Sequence, residues 1–227
     1  MARKRNGHKR IRKLWMYVFA YGSNLDYAQM KRRCPSARPI GAGLITGYRL
    51  AFVGFSRHWG GAVATVIPDL DSFVVGMVYA ISFRDLAVLD ACEGAPHVYR
   101  RDPALVQMLG SEEEISADCY SLDRRYGFPS TEYVDTIRRG FRRWGFDPDM
   151  LDRAVRLSKH RAIKQLEALE REARYWKAQA TRLAPGKCTT IPERPDRATR
   201  RKRAEQSSAK KREPSHEKHQ KESDQCA

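Results

Sequence analysis

The sequence predicts an α+β fold: a small mixed, mostly antiparallel β-barrel with flanking helices. Three observations predict it. Six segments rich in Val, Ile, Tyr or Phe, each bounded by Gly, Pro, Asp or Ser, fall between residues 16 and 122, as expected of short strands separated by turns. Glycines at 41, 43, 47, 54, 60, 61 and 76 sit inside or beside these runs, where they mark bulges and tight bends of a strongly curved sheet. Regular alternation of strands with long helices is missing, which argues against a doubly wound parallel sheet.

The first strand lies in "MYVFAYGSNL" (16–25) and runs straight into a turn. A helix follows over "NLDYAQMKRRC" (24–34), with Asn24 available as N-cap and Asp26 in the first turn. Strands come next at 40–55, 60–68 and 73–81. "SFRDLAVLDACEG" (82–94) opens a helix with Ser82 and Asp85 at capping-box-like spacing and stops it at Gly94. Two more strands, 99–109 and 114–122, precede a helix at 130–145 that carries Val134, Ile137, Phe141 and Trp144 on one face. Another helix starts with Asp147 as cap and Pro148 at its first position.

Beyond about residue 158 the pattern changes. Ala162, Leu166, Leu169, Ala173, Trp176, Ala180 and Leu183 recur at alternating spacings of four and three, an amphipathic stripe that ends at Pro185-Gly186. Such a helix suits docking on the core, solvation, or pairing with a second copy as a homodimer. From residue 186 onward Lys, Arg, Glu, Ser and Pro dominate, a composition that predicts disorder. Four parts result: a basic N-terminal tail at 1–15, a globular domain at 16–155, the amphipathic helix at 156–185, and a disordered basic tail at 186–227.

Charge supports this division. The net charge is +16, yet residues 16–150 hold 15 Lys/Arg against 16 Asp/Glu. Residues 1–15 hold 7 bases and no acid, and residues 151–227 hold 21 bases against 11 acids. Any contact of the tails with nucleic acid is therefore expected to be weak and non-specific, since clusters such as "RATRRKR" offer phosphate contacts without interleaved aromatics. The five cysteines are scattered, odd in number and never in a C-x-x-C pair, so they read as reduced thiols rather than a disulfide framework or zinc site. The apolar run after the basic N-terminus lacks a small-residue cleavage site, and no stretch is long enough to span a bilayer. A cytoplasmic protein with no membrane contact and no metal is expected.

The chemistry concentrates at two places. On the helix after Ser82, Leu86, Leu89 and Glu93 share one face, and the apolar pair marks that face as buried. Burial, and the negative end of the helix, both push a carboxyl there upward, as a general base at neutral pH requires. In the turn after the first strand, Gly22 lets the backbone approach a ligand. Successive N–H groups of Gly22, Ser23 and Asn24 can form a nest for a carboxylate or an oxyanion.

Taken together, "FAYGSNL", "RHWGGAVATV" (57–66), "VVGMVYAI" (74–81), "LDACEG" (89–94) followed by Tyr99, and "FPSTEY" (128–133) followed by "IRRG" resemble, in order and spacing, the gamma-glutamylcyclotransferases. The resemblance covers about residues 16–155. It implies a mixed barrel with flanking helices, no metal or organic cofactor, and a small-molecule gamma-glutamyl substrate converted to 5-oxoproline and a free amino acid or amine. It also implies Glu93 as the acid/base residue and Phe19, Ala20, Tyr21, Gly22, Ser23 and Asn24 as the substrate-binding loop. Tyr133 becomes a further binding residue, with Tyr99 and Tyr120 as aromatic neighbours of the pocket.

Two features depart from that pattern. The position ahead of "FAYGSN", often Tyr in the family, is Val18 here. "EGAPHVYRRDPALV" is similar to the gamma-glutamylamine cyclotransferase and AIG2-like branch, although that branch usually has Tyr-Gly-Thr-Leu in place of Tyr21-Gly22-Ser23-Asn24. A gamma-glutamyl group on a specialised amine is thus an alternative substrate. A catalytically inert core whose basic tails bind nucleic acid is an alternative of another class.

Overall fold

The computed structural model describes residues 15–182. The expectations for the basic tails, and for disorder after residue 186, fall outside the described residues.

Five strands, β1 (Trp15–Ala20), β2 (Arg38–Ser56), β3 (Gly61–Ser82), β4 (Arg100–Met108) and β5 (Glu114–Ser121), close into a barrel in the order β1-β3-β2-β4-β5. Four of the five seams are antiparallel. The closing seam is parallel and pairs Val18 with Asp118 and Phe19 with Cys119. The α+β mixed barrel expected from the sequence is present. Its core holds Val18, Phe19, Ile45, Phe52, Tyr79 and Ile81, all at most 2% exposed. A short 3-10 helix (Ser23–Leu25) and four α-helices complete the described chain: α1 (Tyr27–Arg33), α2 (Phe83–Glu93), α3 (Thr131–Trp144) and α4 (Pro148–Arg182).

Three expectations about elements are corrected. The strands expected at 60–68 and 73–81 are one strand, β3. Pro68-Asp69-Leu70-Asp71-Ser72 reads as a turn, but it is accommodated as a register shift against β2, where Thr46 faces Phe73 and Tyr48 faces Pro68. Asp26, not Asn24, caps α1, because its Oδ1 accepts from the Gln29 amide at 2.9 Å. This frees the Asn24 side chain to turn elsewhere. Finally, the helix starting at Asp147 and the stripe from Ala162 to Ala180 belong to a single helix, α4, so the expected boundary at 155/156 lies inside it, while Leu183 falls outside the described residues.

Leu151, Ala154, Ser158 and Ala162 form the buried track of α4. Ser158 fits that track because its hydroxyl accepts from the Phe52 amide at 3.0 Å, satisfying both groups. Gln165 Oε1 likewise accepts from the Tyr126 amide at 3.0 Å. Beyond that point the stripe is open: Leu166 is 52% exposed. By compactness the chain divides at Arg174/Tyr175, and the described part of the second unit is the end of α4 from Tyr175 to Arg182. No helix among the described residues is long and apolar enough to cross a membrane.

Candidate active site

β1 enters its turn with Phe19, Ala20 and Tyr21 all buried. The chain then reverses through the 3-10 helix, whose own bonds run from Leu25 N to Gly22 O and from Asp26 N to Ser23 O, each 3.0 Å. The amides of Gly22, Ser23 and Asn24 precede these donors and are not consumed by the turn. Helix α3 holds the turn in place from behind. A Cβ on Gly140 would stand 2.3 Å from Leu25 Cβ and 2.7 Å from its carbonyl carbon, so only glycine permits this approach. Trp144 Nε1 donates to the Leu25 carbonyl at 2.9 Å.

Helix α2 supplies the carboxylate. Ser82 caps it by accepting from the Asp85 amide. The Asp85 carboxylate does not reach back to Ser82; it accepts from the Ser36 amide, and Ser36 Oγ accepts from Ser82 N, so the expected capping box closes through Ser36. Leu86 and Leu89 are buried, and Gly94 ends the helix in the left-handed conformation (φ 65°). Glu93 follows the same face inward, its side chain 15% exposed. Its Oε1 accepts from Asn24 Nδ2 at 3.0 Å and from Arg33 Nη1 at 2.9 Å. Burial pushes the Glu93 carboxyl above its ordinary value, although the Arg33 charge and the bonds from Asn24 and Arg33 pull the other way.

Four tyrosines wall the site. Tyr21 donates to the Tyr120 carbonyl, Tyr99 to the Ala64 carbonyl at 3.0 Å, and Tyr120 to Asp90 Oδ1 at 2.7 Å. Tyr133 accepts from the Ala64 amide at 3.1 Å and pairs with the Ser23 side chain. Burial raises all four phenols, Tyr133 to about 12. They are therefore neutral donors and apolar ring faces at physiological pH. Behind them Arg101 bridges Asp90 (3.0 Å) and Asp118 (2.6 Å), fixing the carboxylate that holds Tyr120.

Every site residue singled out in the sequence lines one cleft. Phe19, Ala20, Tyr21, Gly22, Ser23, Asn24, Glu93, Tyr99, Tyr120 and Tyr133 surround a space of about 40 Å³, together with Val18 and Ala64. Larger cavities lie elsewhere, about 400 Å³ beside Arg49, Asp69 and Arg153 and about 340 Å³ beside Arg100, Cys119 and Arg124. The small cleft combines a desolvated carboxylate with a turn whose own bonds do not use the Gly22, Ser23 and Asn24 amides, which suits acid/base chemistry on an anionic substrate. No group of three or more His, Cys, Asp or Glu among the described residues stands together to hold a metal ion.

Arg33, Gln29 and Ala64 were not singled out in the sequence. Arg33 stands in "KRR", which reads as a solvated basic run. The available signal was its spacing from Met30, three residues earlier, which is fully buried. Gln29 is buried and donates to Ser23 Oγ at 2.7 Å.

A family model described as gamma-glutamyl cyclotransferase, AIG2-like, matches residues 18–138. Among solved structures, the chain is similar to one named "Gamma-glutamyl cyclotransferase", with 24% identity and a TM-score of 0.59, over 62% of this chain and 86% of that one. It is also similar to the uncharacterized protein loc79017 from Homo sapiens, with 25% identity and a TM-score of 0.58 over the same shares. YkqA from Bacillus subtilis is 22% identical with a TM-score of 0.52, over 65% of this chain and 55% of that one. These likenesses show the fold. No curated protein sequence matches the chain.

Proposed function

Since the chain belongs to the gamma-glutamyl cyclotransferase, AIG2-like family, we propose that it converts a gamma-glutamyl amide to 5-oxoproline and a free amine or amino acid, with Glu93 as general acid and base. The observation that carries this reading is the inward Glu93 carboxylate, raised by burial and standing within 3.0 Å of the side chain of Asn24 in the "YGSN" turn.

The reaction closes a five-membered ring within one molecule, so the protein's tasks are folding the substrate and moving protons. The substrate α-amine is mostly ammonium at neutral pH, with a pKa of about 8. Glu93 takes one proton, and the freed amine attacks the side-chain carbonyl. As the C–N bond to the departing amine breaks, Glu93 returns that proton to it. The ring nitrogen sheds a second proton by the same route. Both protons lost by the ammonium finish on the departing amine, and Glu93 ends ionised as it began. The amides of Gly22, Ser23 and Asn24 bind the α-carboxylate or the oxyanion of the tetrahedral intermediate. Phe19, Ala20 and Tyr21 form the floor beneath them. Tyr133 orients the turn through Ser23, while Tyr99 and Tyr120 present ring faces because their hydroxyls are already committed.

A second reading of the substrate, a gamma-glutamyl group on a specialised amine, draws on "EGAPHVYRR" and on the AIG2-like description of the matching family. One experiment tests both. The chain is incubated separately with gamma-glutamyl dipeptides, gamma-glutamylamines and glutathione, and 5-oxoproline is measured by mass spectrometry. Release from at least one class is expected, and the class that reacts assigns the leaving group. No 5-oxoproline from any class would overturn the reading.

A further inference from the structure

Arg33 is the last residue of α1 and reaches across to α2. Its Nη1 lies 2.9 Å from Glu93 Oε1 and 2.9 Å from Asn24 Oδ1. Asn24 is itself oriented by these contacts: Oδ1 faces the donors Arg33 and Gln29 Nε2 (3.4 Å), and Nδ2 faces Glu93 (3.0 Å). Glu93 Oε1 thus accepts two hydrogen bonds, whereas Oε2 has no partner among the described residues. The side chains of Arg33 and Glu93 are 20% and 15% exposed, so water screens the pair little.

The electrostatic setting makes Arg33 distinctive. The other titratable groups that feel Glu93 are Tyr21 after β1, Cys34 after α1, Tyr99 before β4, Tyr120 of β5 and Tyr133 of α3. Burial raises each of them, Cys34 and Tyr133 to about 12, so all are uncharged at neutral pH. Among the described residues, Arg33 is the charged partner that acts on Glu93.

We propose that Arg33 is a positioning residue for the cyclisation, holding Glu93 through Oε1 so that Oε2 is the oxygen that exchanges protons with the substrate, and supplying the positive charge that keeps the carboxylate ionised before substrate enters. This rests on the reading of Glu93 as general base. Without Arg33, burial acts unopposed by any cation among the described residues, and the Glu93 carboxyl moves further upward. With Arg33, the carboxyl is held below the value burial alone would give it, yet remains a stronger base than an exposed Glu.

The test titrates Glu93 directly. Glutamate labelled with ¹³C at the side-chain carboxyl is incorporated into the full chain, and the Glu93 resonance is assigned by its loss in E93Q. R33M should titrate at least about one pH unit higher than the parent, the lower end of the effect of an adjacent opposite charge. R33Q keeps N–H donors without the charge, serves if R33M does not fold, and should shift in the same direction. R33K should lie between, and R32M, at an exposed neighbouring position, should match the parent. On any gamma-glutamyl substrate the parent turns over, the acid limb of kcat/KM should move upward with the titration. A parent inactive on every substrate would overturn the proposed function, while the titration would still decide whether Arg33 governs Glu93. Titration of R33M or R33Q at the parent's pH would overturn the assignment to Arg33.

Discussion

Glu93 is subject to opposing influences, with burial raising the carboxyl and Arg33 and Asn24 lowering it, and burial prevails. A carboxyl whose folded value is raised favours the folded state in its protonated form. Its contribution is fully present below the unfolded value, about 4.3, and is lost as pH rises through the folded value. E93Q removes that loss. The melting temperature of E93Q relative to the parent should therefore increase as pH rises from about 4 toward neutrality and level off above the folded value. A gap that narrows over this range, followed by calorimetry, would contradict the raised carboxyl. At this scale much was legible: Leu86 and Leu89 fix the face on which Glu93 points inward, and the "YGSN" turn lies opposite it. The Arg33 contact was not legible. It depends on how α1 packs beside α2, and neighbouring Lys31 and Arg32 make the local sequence read as a basic surface.

Gly140 explains at the level of elements why "IRRG" lies behind the site. Helix α3 touches the Ser23–Leu25 turn closely, with Leu25 where a side chain of residue 140 would be. G140A should force the turn away from α3, raising KM as the amides of Gly22 to Asn24 shift. It should also destabilise the fold by roughly 1–3 kcal/mol, the usual range for overpacking. Steady-state kinetics and thermal unfolding check both effects; an unchanged KM would show that the turn does not depend on this contact. The barrel strands were readable from composition and glycine bends. Two element boundaries were not. The polar stretch after Pro68 resembles a turn until its pairing with β2 is known. Ser158 breaks the apolar track of α4 in sequence, although the Phe52 amide makes it a suitable buried residue.

For the whole molecule, α4 runs on past residue 155, where the sequence suggests a boundary. A chain ending at residue 155 loses the bonds from Ser158 to Phe52 and from Gln165 to Tyr126, and the burial of Ala162. Two hydrogen bonds at about 1 kcal/mol each, with the packing of the helix turn, amount to roughly 3 kcal/mol. That corresponds to a fall of about 6–12 °C in Tm. A chain covering 16–174 should melt close to the full chain, and equal melting of the 16–155 chain would restore the shorter domain. The regional charge was readable from counting alone, because 15 bases and 16 acids leave residues 16–150 near neutral.

If one carboxylate, Glu93, moves the protons of the proposed ring closure, removing its basicity should stop turnover and spare binding. The comparison is 5-oxoproline release by the parent and E93Q on a substrate the parent turns over, with binding of a gamma-glutamyl ligand followed separately by calorimetry. Gln keeps the size and an acceptor oxygen but cannot take a proton. In E93Q kcat should fall by roughly 10² to 10⁴, about 3–5 kcal/mol of barrier, while ligand affinity stays near the parent's because the turn at Tyr21 to Asn24 is intact. Parent-like kcat in a folded, ligand-binding E93Q would contradict it.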